Sequence, residues 1–173
     1  MKIVFDIETD GLDPTVVWVV ATSDVDTGDR RVFVDKDKFK DYLSQADEVI
    51  GHNIIGYDIP ALEKLWGVDF SQLKITDTLV MSRLANPSNQ GGHSLENWGT
   101  TLGFPKGDFH DWEQLSGKMI TYCKQDVAIN VMVYKKLTED LADFNERAIT
   151  LEHDVAECIN QQKINGWRIN EMK

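Results

Sequence analysis

Residues 2–9, Lys-Ile-Val-Phe-Asp-Ile-Glu-Thr, carry an unbroken apolar run, Ile3-Val4-Phe5, that leads into two acids separated by one isoleucine. A run without a polar break suits a central strand covered on both faces. Side chains alternate along a strand, so Asp6 and Glu8 share one face while Phe5, Ile7 and Thr9 take the other. Gly11-Leu12-Asp13-Pro14 reads as a turn, residues 16–22 as a second strand, residues 26–29 as a hairpin turn and residues 31–34 as a third strand. Two short connections make these three strands an antiparallel meander.

The apolar period then lengthens. Phe39, Tyr42, Leu43 and Ala46 fall at helical spacing and predict a helix over 37–45, followed by a short fourth strand over 48–51. A helix starting near Ile59, with Pro60 in its first turn, ends at Gly67. Residues 73–75 predict a fifth strand, residues 78–84 a helix, and residues 86–92 the clearest loop of the chain. A helix over 94–102 is closed by Gly103, and residues 104–115 are irregular. Ser116 caps a long helix to about residue 141. A last helix over about 147–164 stops at Asn165-Gly166, with Trp167-Arg168-Ile169 extended beyond it. Three antiparallel strands followed by strand–helix alternation predict an α/β fold, a mixed five-stranded sheet with helices on its faces. In such sheets, sites form beyond the carboxyl ends of the parallel strands, and the end of the first strand carries Asp6 and Glu8.

Composition narrows the function classes. A chain of 173 residues fits one domain with a proper core. No basic, apolar leader and no long apolar span occurs, which points to the cytoplasm of a bacterial host cell, for a phage or bacterial protein, and away from a membrane. Cys123 and Cys158 have neither metal-ligand nor disulfide-scaffold spacing, so both are expected as buried, reduced thiols. A net charge of −11 argues against broad, non-specific adhesion to nucleic acid. It leaves open an enzyme whose acids are gathered at a site where metal ions supply the positive charge.

Two acids side by side at a strand end repel unless a proton or cation sits between them. A divalent metal is the simplest solution, and two solvated acids at a strand end the ordinary alternative. Asp58 ends Gly51-His52-Asn53-Ile54-Ile55-Gly56-Tyr57-Asp58 and opens a helix, where an acid is favoured by the dipole in any case. Its strand-to-helix junction nevertheless brings it to the sheet edge of Asp6 and Glu8. Tyr122 and Asp126, four apart in the long helix, share one face. A mid-helix acid is ordinarily solvated, and the apolar neighbours Val127, Ala128 and Ile129 leave the exposed face undecided.

The order and spacing of these motifs resemble the DnaQ-like superfamily of 3′→5′ exonucleases, in the branch with tyrosine four residues before the last aspartate (the DEDDy type). The position five before Asp126, a histidine in the other branch, is Thr121. His52-Asn53 with residues 57–62, residues 77–84, and His93-Ser94-Leu95-Glu96 with Trp98-Gly99 are similar to the exonuclease domain of family-A DNA polymerases from short-tailed bacteriophages. Residues 151–154 through 162–167 resemble the connection into the polymerase domain of those proteins.

The resemblance implies an RNase H-like fold, an exonuclease domain over residues 1–142, and a C-terminal helix and linker over 143–173 leading towards a polymerase domain or subunit. It implies phosphodiester hydrolysis with two Mg²⁺ ions, roughly 3.5–4 Å apart in such sites, with Mn²⁺ able to substitute. Asp6 would bridge both ions, Glu8 and Asp126 would complete one site, Asp58 would hold the second ion, and Tyr122 would orient the attacking water. Thr9, Leu12, Asn53 and Tyr57 would hold a DNA 3′ end, single-stranded or frayed, and proofreading would follow from that preference. For Leu12 and Tyr57, packing in the core is the competing assignment. Lys106 and the 86–92 loop are candidates for contacting the strand or a partner. RNA-trimming enzymes of the RNase D kind share the four carboxylates and the tyrosine, so an RNA substrate is one alternative. A catalytically inactive scaffold for a polymerase is the other.

Overall fold

The computed structural model describes residues 1–166, so the expected extended segment at 167–169 lies outside the described residues. Among these residues five strands form one sheet: β1 (Lys2–Thr9), β2 (Val17–Asp24), β3 (Arg30–Phe33), β4 (Glu48–Gly51) and β5 (Lys74–Asp77). Their order is β3-β2-β1-β4-β5, with β1–β2 and β2–β3 antiparallel and β1–β4 and β4–β5 parallel. This is the expected mixed sheet, with β1 at its centre. Among the described residues six helices accompany the sheet: α1 (Lys36–Leu43), α2 (Asp58–Trp66), α3 (Thr78–Ala85), α4 (Leu95–Thr101), α5 (Gly117–Asp140) and α6 (Glu146–Asn165).

The alternation within β1 divides the core into two layers. Ile3, Phe5 and Ile7 join Phe39, Leu62 and Phe70 of the α1–α2 face. Val4 joins Val19, Ile50, Met119, Val127 and Leu137 of the α5 face. By the same parity Asp6 and Glu8 point to the α5 face, and the register between β1 and β2 shifts between Glu8 and Thr9. Phe5 is fully buried and stacks on Phe70 with ring centroids 6.0 Å apart. Burying a side chain of this size contributes about 1.5–3 kcal/mol.

Helix ends follow local chemistry. Ser116 Oγ accepts the Met119 amide at 3.1 Å and starts α5. Gly67 closes α2 in the left-handed conformation, φ 60°, which an L side chain adopts only at a cost. Along α5 the buried positions Met119, Cys123, Asp126, Asn130, Val133 and Leu137 recur every three or four residues, with Val127 beside them. Asp126 therefore lies on the core-facing stripe rather than the solvated one.

Two expectations are corrected. The fifth strand runs over Lys74–Asp77 instead of 73–75, because Thr76 and Asp77 pair with Ile50 and Gly51 of β4, a tertiary contact that their polar character hides. Cys123 is buried as expected, but Cys158 is exposed, because α6 rests on one edge of the fold and buries only His153. Among the described residues no helix is long and apolar enough to cross a membrane.

Candidate active site

Three elements converge at the carboxyl end of β1. The strand brings Asp6 and Glu8, the first residue of α2 is Asp58, and the second turn of α5 brings Tyr122 with Asp126 one turn later. Glu8, Asp58 and Asp126 are all buried, at 6%, 5% and 2% exposure. The four carboxylates act on one another. Burial, then Asp126, Asp58 and Glu8, hold the Asp6 carboxyl well above the usual carboxylate range. Burial and the Asp126 charge push Glu8 up to about 8. Burial pushes Asp58 up to about 7, with Asp77 adding to the effect and backbone amides of Asp58 and Ile7 opposing it. Asp126 is raised by burial and drawn back by Lys106.

The loop before α2 is held from below. Asp77 Oδ1 accepts the amides of Asn53 at 2.8 Å and Leu79 at 2.9 Å, while its Oδ2 accepts the amide of Ile55 at 3.1 Å. Asn53 is the described non-glycine residue with positive φ, 64°, a conformation asparagine tolerates better than most. The Asp77 amide in turn donates to His153 Nε2 at 2.9 Å, tying α6 to this junction. Behind it, the Thr78 hydroxyl donates to Asn130 Oδ1 at 2.8 Å and pairs with His52 Nδ1 at 2.9 Å. Burial pushes His52 down to about 4, so the ring is neutral near pH 7.

The four residues expected to hold a strand end differ in what they are free to do. Tyr57 is half-buried, and its hydroxyl donates to the Gly11 carbonyl and pairs with Thr9 Oγ1, both at 2.5 Å. Thr9 and Tyr57 thus latch the turn after β1 to the start of α2. Leu12, on that turn, is 95% exposed, which removes the core assignment. Asn53 is exposed.

Lys106 reaches into the carboxylate group. Its ammonium lies 2.7 Å from Asp126 Oδ2 and 4.9 Å from the centroid of the Tyr122 ring. Nothing in the irregular stretch around it encodes this reach. Cys123, one residue after Tyr122, donates from Sγ to the Asp6 carbonyl at 3.4 Å and to Asp6 Oδ2 at 3.7 Å. Its sulfur and one oxygen each of Asp6 and Glu8 lie within 4.8 Å of one another. Burial pushes the thiol far up, so it remains a protonated donor and leaves the ligand set to oxygen.

Glu8 Oε1 and Asp126 Oδ1 are buried without any hydrogen-bond partner. Such atoms are costly unless something outside the protein meets them. Four converging carboxylates with two unmet oxygens are a donor set of hard ligands, and they fit Mg²⁺ or Mn²⁺.

Residues 3–138, from β1 almost to the end of α5, match the sequence model of the RNase H superfamily. The chain belongs to the RNase H superfamily. Membership accords with the mixed five-stranded sheet described above. Among curated relatives, the chain is 25% identical over 183 aligned positions to the DNA-directed DNA polymerase of Escherichia phage T7, covering 72% of this chain and 26% of the polymerase. It is also 25% identical over 177 positions to that of Enterobacteria phage T3, covering 69% and 25%. The chain thus spans about a quarter of the length of the curated relatives it matches, and the resemblance to phage polymerases read from its motifs is borne out.

Solved structures of similar fold include Brucella melitensis NrnC with bound Mg²⁺, at TM-score 0.74 and 21% identity over 96% of this chain and 86% of that one. Phi29 DNA polymerase complexed with single-stranded DNA superposes at TM-score 0.54 and 12% identity, over 87% and 34%. At these identities the likeness concerns the fold.

Proposed function

We propose that this RNase H-superfamily chain is a metal-dependent 3′→5′ exonuclease that removes nucleoside monophosphates from single-stranded or frayed DNA 3′ ends, as the proofreading part of a phage-type DNA polymerase. The observation that carries the reading is the quartet Asp6, Glu8, Asp58 and Asp126, Asp6 half-buried and the other three buried, two of whose oxygens have no partner, facing Tyr122. The similarity to phage DNA polymerases supports DNA as the substrate and a polymerase domain or subunit as the partner. Residues 1–142 would form the exonuclease unit and α6 the start of the connection. The NrnC fold match, in a structure with bound Mg²⁺, supports the metal.

Asp6, Glu8 and Asp126 would hold one ion, and Asp6 with Asp58 the other. Ions held there would lower the pKa of a bound water and offset charge on the leaving 3′ oxygen. The remaining work falls to side chains. Burial raises the Tyr122 phenol above its ordinary value, so near pH 7 it is a neutral hydroxyl. It can orient a water but is a poor base. Leu12 offers an exposed apolar surface for the terminal base, and Thr9, Tyr57 and Asn53 shape the edge beside it.

The test is degradation of a 5′-labelled single-stranded DNA oligonucleotide with Mg²⁺, with chelator, and by Asp6→Ala. A ladder shortening from the 3′ end, absent in the last two, is expected. A folded protein that cleaves nothing with Mg²⁺ or Mn²⁺ would leave the scaffold alternative. An RNA oligonucleotide run in parallel decides the base sugar, since the same carboxylates serve an RNA-trimming enzyme.

A further inference from the structure

The irregular segment between α4 and α5 crosses the start of α5 as a strap. Phe109 and Trp112 pack edge to face at 4.8 Å, and both rest on Tyr122, at 5.7 and 5.9 Å between centroids. Trp18 Nε1 donates to the Trp112 carbonyl at 3.0 Å, and Gln125 Nε2 to the Pro105 carbonyl at 2.7 Å. Gly107 permits the close approach, because a Cβ there would stand 2.7 Å from Gln125 Oε1. Between these fastenings the strap delivers Lys106 to the carboxylate quartet. Its side chain is 24% exposed, and its ammonium meets Asp126 Oδ2 at 2.7 Å.

Lys106 is thus a positive charge among four acids that otherwise repel. Burial works against its charge, but Asp126 and then Tyr122 and Asp6 outweigh it and hold the ammonium above its ordinary range. The oxygen it occupies belongs to a carboxylate whose other oxygen is buried and unmet. A divalent ion seated on Asp126 would therefore find an ammonium on the same carboxylate. Two cations sharing one carboxylate repel, and the flexible four-carbon stem of lysine lets the ammonium leave while the aromatic strap stays in place.

We propose that Lys106 is a tethered counter-ion that neutralises the carboxylate quartet in the ion-free protein and is displaced from Asp126 when a divalent metal binds. The inference rests on the metal-site reading above and adds to it a competition built into the chain. Lys106 stabilises the empty cradle against its own repulsion and, by the same contact, weakens metal affinity.

Calorimetric titration of MnCl₂ into the full chain, Lys106→Gln and Lys106→Arg at pH 8.5 tests this without reading nuclease activity. Lys106→Gln is expected to bind Mn²⁺ about ten-fold more tightly or better, the order of one charged hydrogen bond released. Lys106→Arg, which keeps the charge, should stay within about three-fold of the unsubstituted protein, since both cations contest one carboxylate. Equal or weaker binding by Lys106→Gln overturns the proposal, because Lys106 would then remain on Asp126 beside the metal. A second measurement needs no variant: acetylation of Lys106 by an amine-reactive ester, followed by peptide mass spectrometry, should speed up on adding Mg²⁺. An unchanged or slower rate also overturns it. If none of the three proteins binds metal, the metal site itself fails and this inference fails with it, an outcome distinct from tight binding that is indifferent to Lys106.

Discussion

With metal withheld by a chelator, the protein should lose stability as pH rises through the neutral range, and the share that Glu8 contributes can be worked out. Its carboxyl is pushed from an ordinary 4.5 up to about 8 in the fold. Between those values the native state binds a proton that the unfolded chain has released, so stability falls with rising pH. His52 runs the opposite way. Its ring, pushed from 6.5 down to about 4, makes the fold gain stability as pH rises to about 6.5. Above that point the carboxylates act alone. Over the roughly 1.5 pH units from 6.5 to 8, at about 1.4 kcal/mol per unit, Glu8 costs on the order of 2 kcal/mol. Asp58, pushed up to about 7, adds to the same side over the lower part of the window.

For a chain of this size the loss corresponds to about 4–8 °C in melting temperature. The assay is thermal unfolding followed by circular dichroism at pH 6.5, 7.5 and 8.5 in chelator, repeated with saturating Mg²⁺ and with Glu8→Gln. The ion should remove the fall, so its stabilising effect grows with pH, and Glu8→Gln should make the metal-free fall smaller, with Asp6 and Asp58 supplying what remains. A metal-free melting temperature that stays level from pH 6.5 to 8.5, or a fall that persists undiminished in Glu8→Gln, would refute the assignment of the strain to this carboxylate.

Other substitutions separate chemistry from support. Asp126→Ala should come close to abolishing turnover, while Tyr122→Phe should lower kcat by about ten- to a thousand-fold, or ~1.4–4 kcal/mol, in single-turnover assays. Asp77→Ala leaves three amides without their acceptor and should cost at least about 3 kcal/mol in denaturant unfolding, with Mn²⁺ affinity falling because Asp58 loses its support. Leu12→Ala, at a residue 95% exposed, should leave stability within about 0.5 kcal/mol while raising KM for single-stranded DNA, a split that steady-state kinetics and unfolding read together.

The sequence shows its periodic features openly. β1, β4, the Gly67 stop of α2 and the Ser116 start of α5 stand where the apolar pattern and capping residues put them. The five residues of the carboxylate–tyrosine set were legible because a strand parity, a strand-to-helix junction and an i, i+4 helix pair each carry a side chain to a definite side. What stayed hidden depends on contacts between distant segments. Asp77 looks like an ordinary cap until its partners at Asn53 and Ile55 are brought in by β4–β5 pairing. Lys106 sits in a stretch without period, and only the packing of Phe109 and Trp112 on Tyr122 aims it inward. The burial of Asp126 follows from the stripe on α5, which the apolar run Val127-Ala128-Ile129 after it obscured.

The bond from the Asp77 amide to His153 implies an order in which the molecule loosens. β1 lies at the centre of the sheet with neighbours on both sides, so its amides should exchange with deuterium only on global unfolding. α6 buries only His153, and it grips the rest of the fold through that ring and through Asn160, which donates to the Ile55 carbonyl at 2.8 Å. Detachment of α6 removes one acceptor at Asp77 and one donor at Ile55 together. The segment that presents Asp58 would then open at the free energy of releasing a single peripheral helix, while the strand holding Asp6 and Glu8 stays closed, so the two halves of one site would exchange on separate clocks.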